Sequence, residues 1–410
     1  MSTASVIGGG PAGLIAAEEL ARAGVDVTVY EHMPAVCRKF LLAGRGGLNI
    51  THSEDADRFV GRYGESADRL GPMLERFAAQ DLRDWCGSLG EETFVGSSGR
   101  VFPKAFRATP LVRAWLARLA ELGVRIETRH RWTGWTDEHD ALRLTGPDSG
   151  EIEVASDVAV FALGGASWPR LGSDGTWVDL FRDRGVEVVP LRPANVGVRV
   201  GWTDIFSDRF AGKPLKNVAL TVRGHRGGRA RGDAMVTGTG LEGGPVYAIG
   251  AAIRATLDTG APCVVEVDLR PDLTGDSLTE RLLHRRPKDS GSSWLRRSIG
   301  LDPAAIALVR EAGGGAVPDD AAVVARLVKA VPVVVTATMP IARAISTAGG
   351  IAWSEVDESL MMRRMPGTFV AGEMLDWEAP TGGYLLQASF STGVAAARGA
   401  LTWLQRDGEG

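Results

Sequence analysis

The sequence predicts an α/β protein in which a Rossmann-like dinucleotide-binding domain is split by an inserted, β-rich domain. Three observations predict it. Residues 1–31 read strand, glycine-rich turn, helix, strand and acid without interruption. Around Pro190 the texture changes to short apolar strands with close turns. A late strand, Thr368 to Ala371, then runs into Gly372-Glu373, as though the first domain were resumed.

The opening unit can be justified part by part. Ala4 to Ile7 is short and apolar. It runs into Gly8-Gly9-Gly10-Pro11-Ala12-Gly13, which places Gly8, Gly10 and Gly13 at G-x-G-x-x-G spacing. The first glycine permits the tight turn, the second lets a pyrophosphate approach the backbone, and the third lets helix and strand pack closely. Leu14, Ala17, Leu20 and Ala21 line one face of the helix, and Gly24 stops it. The helix start offers free N–H groups and a positive dipole end to phosphates. Val25, Val27 and Val29 alternate towards Glu31, placed to accept hydrogen bonds from a ribose diol.

Length and composition bound the rest. At 410 residues the chain suggests two or three domains, and 44% hydrophobic content supports a real core. No run of eighteen apolar residues occurs. The apolar N-terminus lacks a basic region and meets Glu18 and Glu19 early, unlike a signal peptide. Three scattered cysteines, Cys37, Cys86 and Cys263, exclude a disulfide scaffold and a paired-thiol centre and predict a cytoplasmic protein. The six histidines show no metal-ligand spacing, so no metal is expected. A net charge of −4 implies no general attraction to nucleic acid. Arginine outnumbers lysine 40 to 6, which lowers the weight of any local arginine cluster.

Further along, residues 55–89 read as helical, with Leu70, Leu74, Phe77 and Leu82 inward. A helix over Arg113–Leu122 leads to a strand over Val124–Thr128. Residues 141–154, turning at Gly146 to Gly150, read as a β-hairpin. Asp157 to Ala162 is a buried strand entering Leu163-Gly164-Gly165. Leu278 to Val331 is helical, and a final helix covers Leu386–Gln405. The expected boundaries are 1–189 and 358–410 for the dinucleotide-binding domain, 190–275 and 332–357 for the insertion, and 276–331 for a helical subdomain.

The return at Gly372-Glu373 decides the cofactor. A plain NAD dehydrogenase has no need to revisit its first domain at the far C-terminus. Flavoprotein folds with two dinucleotide-binding halves complete an FAD site this way, the acid receiving a ribityl hydroxyl.

The chain resembles the FAD-binding flavoproteins called BaiN-like or aminoacetone-oxidase-like. The resemblance is carried by Arg38-Lys39 with the loop through Gly44 to Asn49 and Thr51, by Gly99 to Pro103, and by Ala162 to Pro169 with Gly172 to Gly175. It continues in Thr347 to Ile351, Ala371 to Asp376, and Thr381-Gly382-Gly383-Tyr384-Leu385-Leu386-Gln387. It implies a split FAD domain, a β-barrel-like insertion and a small helical domain within it. It also implies cofactor contacts at His32, Lys39, Gly44, Asn49, Ala162, Gly164, Gly383, Tyr384 and Leu385, beside those already read from the motif. The chain departs from the family loop at Ala43, Gly47, Leu48 and His52, and again at Leu241 to Pro245. Cofactor binding therefore carries over better than substrate identity.

Other features have plainer readings. Gly238 to Gly243 is a second literal G-x-G-x-x-G, before a helix at Val246–Leu257 and a strand ending near Glu266 and Asp268. Its preceding strand, Ala234 to Val236, is very short for an NAD(P)H module. From Arg209 to Arg231 there are seven Lys or Arg and no acid. This is a nucleic-acid surface or, preferably, a solvated face. Cys37, beside two cations, is a thiolate candidate or a packed loop residue. His32 and His52 are remote candidates for covalent flavin attachment. Trp168 and Trp377 either shape the flavin pocket or pack the core.

The sequence thus predicts an FAD-dependent oxidoreductase exchanging a hydride at flavin N5 with a small-molecule substrate. Adenosine falls on Glu31, with Trp132 against the adenine, pyrophosphate on Gly8 to Gly13, and the flavin ring towards the insertion. Whether NAD(P)H or oxygen is the second redox partner is left open. Asn49, His52, Glu242 and Tyr384 are acid–base candidates by position alone. The alternatives are reduction of a uridine in ribosomal RNA, which some members of the wider family are associated with, and a non-catalytic flavoprotein sensor. The RNA reading requires Arg223, Arg226, Arg229 and Arg231 to form one binding face.

Overall fold

The structure, a computed structural model, describes residues 2–136, 141–148, 150–225 and 228–407. It comprises two compact units, Met1–Arg192 with Ser346–Gly410, and Pro193–Ile345. The chain resumes the first unit at Ser346, earlier than the expected residue 358.

The first unit begins β1 (Thr3–Ile7), α1 (Pro11–Arg22), β2 (Asp26–Glu31), α2 (Arg38–Ala43), β3 (Thr51–His52), α3 (Ala56–Gly61), α4 (Ala67–Arg76) and α5 (Ala79–Ser88). It continues β4 (Thr93–Val95), β5 (Arg100–Pro103), α6 (Ala108–Glu121), β6 (Arg125–Thr128), β7 (Arg131–Trp135), β8 (Leu142–Thr145) and β9 (Glu151–Val154). β10 (Val158–Phe161), α7 (Trp177–Arg182) and β11 (Val188–Ala194) lead to the boundary. The second unit holds β12 (Val198–Val200), α8 (Asp204–Phe210), β13 (Pro214–Val222), β14 (Ala230–Thr237), β15 (Gly240–Glu242), α9 (Gly244–Ala248), α10 (Gly250–Asp258) and β16 (Cys263–Asp268). Helices α11 (Gly275–Leu283), α12 (Gly291–Ile299), α13 (Pro303–Ala312) and α14 (Ala321–Lys329) precede β17 (Val331–Thr338). The first unit closes with β18 (Ser346–Ile351), β19 (Thr368–Val370) and α15 (Tyr384–Asp407).

The central sheet has the order β19-β10-β1-β2-β6, parallel throughout. β1 lies in the middle, with Val6 between Val160 and Val29. A strand covered on both faces reads apolar without alternation, as Ala4 to Ile7 and Val158 to Phe161 do. Helix α15 crosses α1 closely because Gly393 leaves room: a Cβ there would lie 2.4 Å from the Ala12 carbonyl oxygen. On α1, Glu18 is buried, and its carboxylate accepts hydrogen bonds from the indoles of Trp85 (3.1 Å) and Trp115 (2.7 Å) and from Arg22 and Arg118. A buried charge needs such donors, and these tie α5 and α6 to α1.

Two expectations change in this unit. The helical stretch of residues 55–89 is three helices. Phe77 leaves the helical region at φ −143°, and the side chains of Asp55 and Asp81 accept from backbone N–H groups at new starts. Leu70, Leu74, Phe77 and Leu82 are buried as expected. The hairpin of residues 141–154 is a three-stranded sheet, because Trp132 and Trp135 of β7 pack against Phe161 and Phe181 and bring β7 alongside β8. Ser149 of its turn lies outside the described residues.

In the second unit six antiparallel strands close a barrel in the order β12-β15-β14-β13-β16-β17, which leaves no open edge. Helices α11 to α14 share its core, Leu278, Trp294, Leu308 and Val324 clustering with Leu220 and Val265. Each starts on a side-chain cap: Thr274, Ser290, Asp302 or Asp320 accepts an N–H three residues on. The strand before Gly238 runs from Ala230, longer than expected, and the glycines that follow join antiparallel β14 and β15. A Cβ on Gly240 would sit 1.7 Å from the Val198 carbonyl oxygen, so this glycine serves strand packing. Among the described residues no helix is long and apolar enough to cross a membrane, and no group of three His, Cys, Asp or Glu could hold a metal.

Candidate functional site

The carboxyl ends of β1, β2, β10 and β19 open on one cleft. The glycine turn forms its floor. Gly8 has φ 111°, and a Cβ there would lie 2.4 Å from the Ala162 carbonyl oxygen. At Gly13 a Cβ would meet the Gly8 carbonyl oxygen at 2.0 Å, which explains the close strand–helix packing. Gly10 differs: a Cβ there would have nothing within 4 Å, because it faces open cleft at the start of α1. Pro11 and Ala12 complete this side.

Glu31 is buried at the end of β2. Its Oε2 accepts from the Gly9 N–H at 2.9 Å and its Oε1 from the Met33 N–H at 2.8 Å. Across the cleft Lys39 Nζ donates to Ser167 Oγ (2.7 Å) and to Glu373 Oε2 (2.9 Å). Thr347 N–H donates to Glu373 Oε1 at 2.8 Å. Gly372 is held from both sides, its N–H donating to Thr392 Oγ1 and its carbonyl accepting from the Trp377 indole. Ala162 and Gly164 line the same cleft, and the Gly164 carbonyl accepts from Trp177.

Beside it lies a smaller cavity lined by Tyr30, His32, His130, Arg131, Trp132 and Asp174 among others. His32 belongs to both. Its Nδ1 lies 3.2 Å from Glu31 Oε1 and its Nε2 3.9 Å from Asp174 Oδ2. Burial pushes its pKa below the ordinary value, and the two carboxylates only partly oppose this. Buried polar atoms with no hydrogen-bond partner gather here: His32 Nε2, Arg38 Nε, Ser173 Oγ and Trp132 Nε1. Such atoms are costly unless something bonds to them, so the walls suit a polar, elongated group such as FAD.

Of the sequence-predicted contacts, Gly8, Gly10, Pro11, Ala12, Glu31, His32, Lys39, Ala162, Gly164, Gly372 and Glu373 meet at this cleft. Trp132 lies at the second cavity, mostly enclosed by Trp135, Phe161 and Phe181. Gly13 supports the turn from beneath. Gly44 packs on Ala108, and Gly383 on the backbone of Thr51. Leu385 and Tyr384 begin α15. Asn49 Nδ2 donates to the carbonyls of Thr51 and Val101 and so secures its own loop. His52 stacks on Tyr384 with ring centroids 5.4 Å apart, and Tyr384 Oη donates to Glu54 at 2.5 Å. A hydrogen bond from Arg62 holds the Glu54 carboxyl below its usual range, while burial pushes the Tyr384 phenol up. Glu242 is exposed on β15 of the other unit. The cleft also contains Arg38, Ser173 and Ser389, which sequence reasoning did not single out. Arg38 and Ser173 lay inside quoted motifs, and only their unpaired buried atoms mark them.

Cys37 is buried, and burial pushes its thiol far up, so it is a packed loop residue. Trp377 is core, and Trp168 sits at φ 63° with partial exposure. The basic stretch is not a bare cationic face. Arg223 pairs with Glu266, Arg229 with Asp268 and Arg231 with Asp272. Arg226 lies outside the described residues.

A family model described as HI0933-like protein Rossmann domain matches residues 2–399. The chain is 26% identical to the 3-dehydro-bile acid delta(4,6)-reductase of Clostridium scindens, covering 98% of this chain and 99% of that protein. It is 23% identical to the ribosomal RNA dihydrouridine synthase of Haemophilus influenzae, covering 96% of each. Among solved structures, the 3-ketosteroid delta1-dehydrogenase from Sterolibacterium denitrificans has the same fold, with a TM-score of 0.54 at 13% identity over 98% of this chain and all of that one.

Proposed function

Because the chain belongs to the HI0933-like Rossmann-domain family, we propose that it is an FAD-dependent oxidoreductase acting on a small-molecule substrate, with FAD extended along the cleft of its α/β unit. One observation carries this reading. The glycine turn, Glu31 and the Lys39–Glu373 pair converge on a single cleft whose walls hold buried polar atoms awaiting partners.

Bound FAD supplies two-electron redox chemistry by hydride exchange at N5. The protein's own groups bind and orient. Each Glu31 oxygen accepts one backbone N–H and keeps a further lone pair for a ribose hydroxyl. The start of α1 and Arg38 meet the pyrophosphate with N–H donors and positive charge. Glu373, fixed by Lys39 and by Thr347 N–H, takes a ribityl hydroxyl. Ser173 and His32 offer polar atoms towards the adenosine end.

Reduction of a ribosomal RNA uridine has less support, because Arg223, Arg229 and Arg231 are neutralised by acids from elsewhere in their unit. Anaerobic absorbance of the purified protein tests the main reading. Denaturation is expected to release FAD at about one per chain, and NADPH, NADH or a substrate to bleach the bound flavin. Reoxidation with and without oxygen then separates oxidase from reductase. A colourless protein that cannot be reconstituted with FAD would sink the proposal.

A further inference from the structure

The small antiparallel sheet β3-β5-β4 presents an outer face that the cofactor cleft does not use. Its register places His52 opposite Arg100 and Phe94 opposite Phe102. Arg100 and Phe102 are two residues apart on β5, so all four side chains share one face. Val101 and Thr51, on the other face, are fully buried. Phe106, just after β5, joins the outer group. The ring centroids of Phe94, Phe102 and Phe106 lie 5.1–6.2 Å apart, with planes within 20–29° of one another. Together they make a stacked apolar cluster.

Three things distinguish this cluster from incidental surface. Phe94 and Phe106 are 38% and 45% exposed, among the largest exposed apolar side chains described. Phe106 is held at φ 56°, a left-handed conformation that disfavours a bulky residue and is retained only where surroundings or function demand it. A cation also shares the face: Arg100, on the same side of β5 as Phe102, is exposed and has no ion-pair partner among the described residues. The face adjoins the cofactor machinery at two points. Helix α2 starts with Arg38 and Lys39 of the cleft and spans roughly 9 Å before Gly47, whose Cβ would lie 2.5 Å from the Phe106 ring. Arg100 Nε lies 3.9 Å from where a Gly382 Cβ would be, in the turn that leads into α15.

We propose that this face is the substrate-recognition surface of the oxidoreductase described above, whose reading it presupposes. It takes a largely apolar small molecule bearing an anionic group, the body lying against the exposed parts of Phe94 and Phe106 and the anion on Arg100. Size favours this occupant. The exposed parts of Phe94 and Phe106 amount to roughly 80 Å² each, far below the roughly 800 Å² per partner of a stable protein interface. A nucleic-acid strand needs a continuous basic track, and Arg223, Arg229 and Arg231 are already paired with acids.

The test uses the FAD-loaded protein and two fluorescent probes with the same rings, 1-pyrenebutanoate and neutral 1-pyrenebutanol. Wild type is expected to bind both, the anion more tightly. Arg100→Gln should weaken the anion about tenfold, the scale of a lost charge-assisted contact, and leave the alcohol within twofold. Phe94→Ser with Phe106→Ser should weaken both probes. Equal binding by wild type and variants overturns the proposal. So does binding of a labelled ten-residue oligouridylate in place of the pyrenes, or a concentration-dependent dimer abolished by the phenylalanine changes. Flavin absorbance of the same samples separates the two failures. Bound FAD without probe binding refutes the surface alone, and a protein that takes no FAD refutes the oxidoreductase reading as well.

Discussion

Replacing Glu31 by Gln is the sharpest perturbation of the cofactor cleft. The two carboxylate oxygens accept from the N–H groups of Gly9 (2.9 Å) and Met33 (2.8 Å). Glutamine offers one acceptor oxygen, and its NH₂ group must then face the other N–H. No rotamer satisfies both donors. One buried N–H left unbonded costs about 1–3 kcal/mol, and the remaining bond loses its charge assistance. Because both bonds exist before any cofactor contact, this part falls on the apoprotein and should lower its melting temperature by a few degrees. A second part appears only with FAD. A ribose hydroxyl bonded to a carboxylate is worth about 1.5–3 kcal/mol, so FAD affinity should fall roughly 10- to 100-fold. Apoprotein thermal melts and FAD titration followed by flavin fluorescence measure the two parts separately. E31Q protein that melts and binds FAD like wild type would show that Glu31 neither shapes the turn nor meets the ribose.

The glycines give a paired contrast: Gly10→Ala should leave the apoprotein melt unchanged yet weaken FAD at least tenfold, since its Cβ meets only cleft. Gly13→Ala should destabilise the apoprotein itself by several kcal/mol, because its Cβ would lie 2.0 Å from a backbone oxygen; equal melts for the two variants would refute this assignment. Native Cys37 should react with iodoacetamide at pH 8 more than tenfold slower than a free thiol, since burial raises its pKa and keeps it neutral; mass spectrometry at that cysteine reads the rate. His32 gives a pH dependence. Its folded pKa is lowered below the unfolded value of about 6.5, so its contribution is complete above pH 6.5 and is lost as pH falls through the folded value. Wild type should therefore lose more melting temperature than His32→Asn between pH 7.5 and 5.5, and parallel losses would exclude the histidine.

What was legible in the sequence was local. Gly8, Gly10, Gly13 and Glu31 lie within one βαβ unit, so their spacing and their geometry coincide. The same letters at Gly238, Gly240 and Gly243 misled less because the strand before them read as short and because they match the insertion's own loop in the family the chain resembles. That strand is in fact eight residues long, and what disqualifies the motif is its antiparallel pairing, which spacing cannot express. The basic run from Arg209 to Arg231 looked uncompensated because its acids, Glu266, Asp268 and Asp272, arrive a strand later. Glu18 counted only against a signal peptide, whereas Trp85, Trp115 and Arg118 come from far along the chain to bury it. Arg38 and Ser173 were invisible as individuals, since an unpaired buried atom is a property of the folded cleft.

The order of the central sheet has a consequence for how the protein is made. β1, β2 and β10 leave the ribosome before β19, which covers the outer edge of β10 and follows it some two hundred residues later. At ordinary synthesis rates that delay is on the order of 10–40 s. During it the nucleotide turn is a half-site beside an open strand edge, while the barrel, with an apolar core of its own, is synthesised in between. Glu373 can reach Lys39 only after the more than three hundred residues between them have been made. Flavin capture is therefore a late event in the life of each molecule, and the newborn chain must protect that edge until it happens.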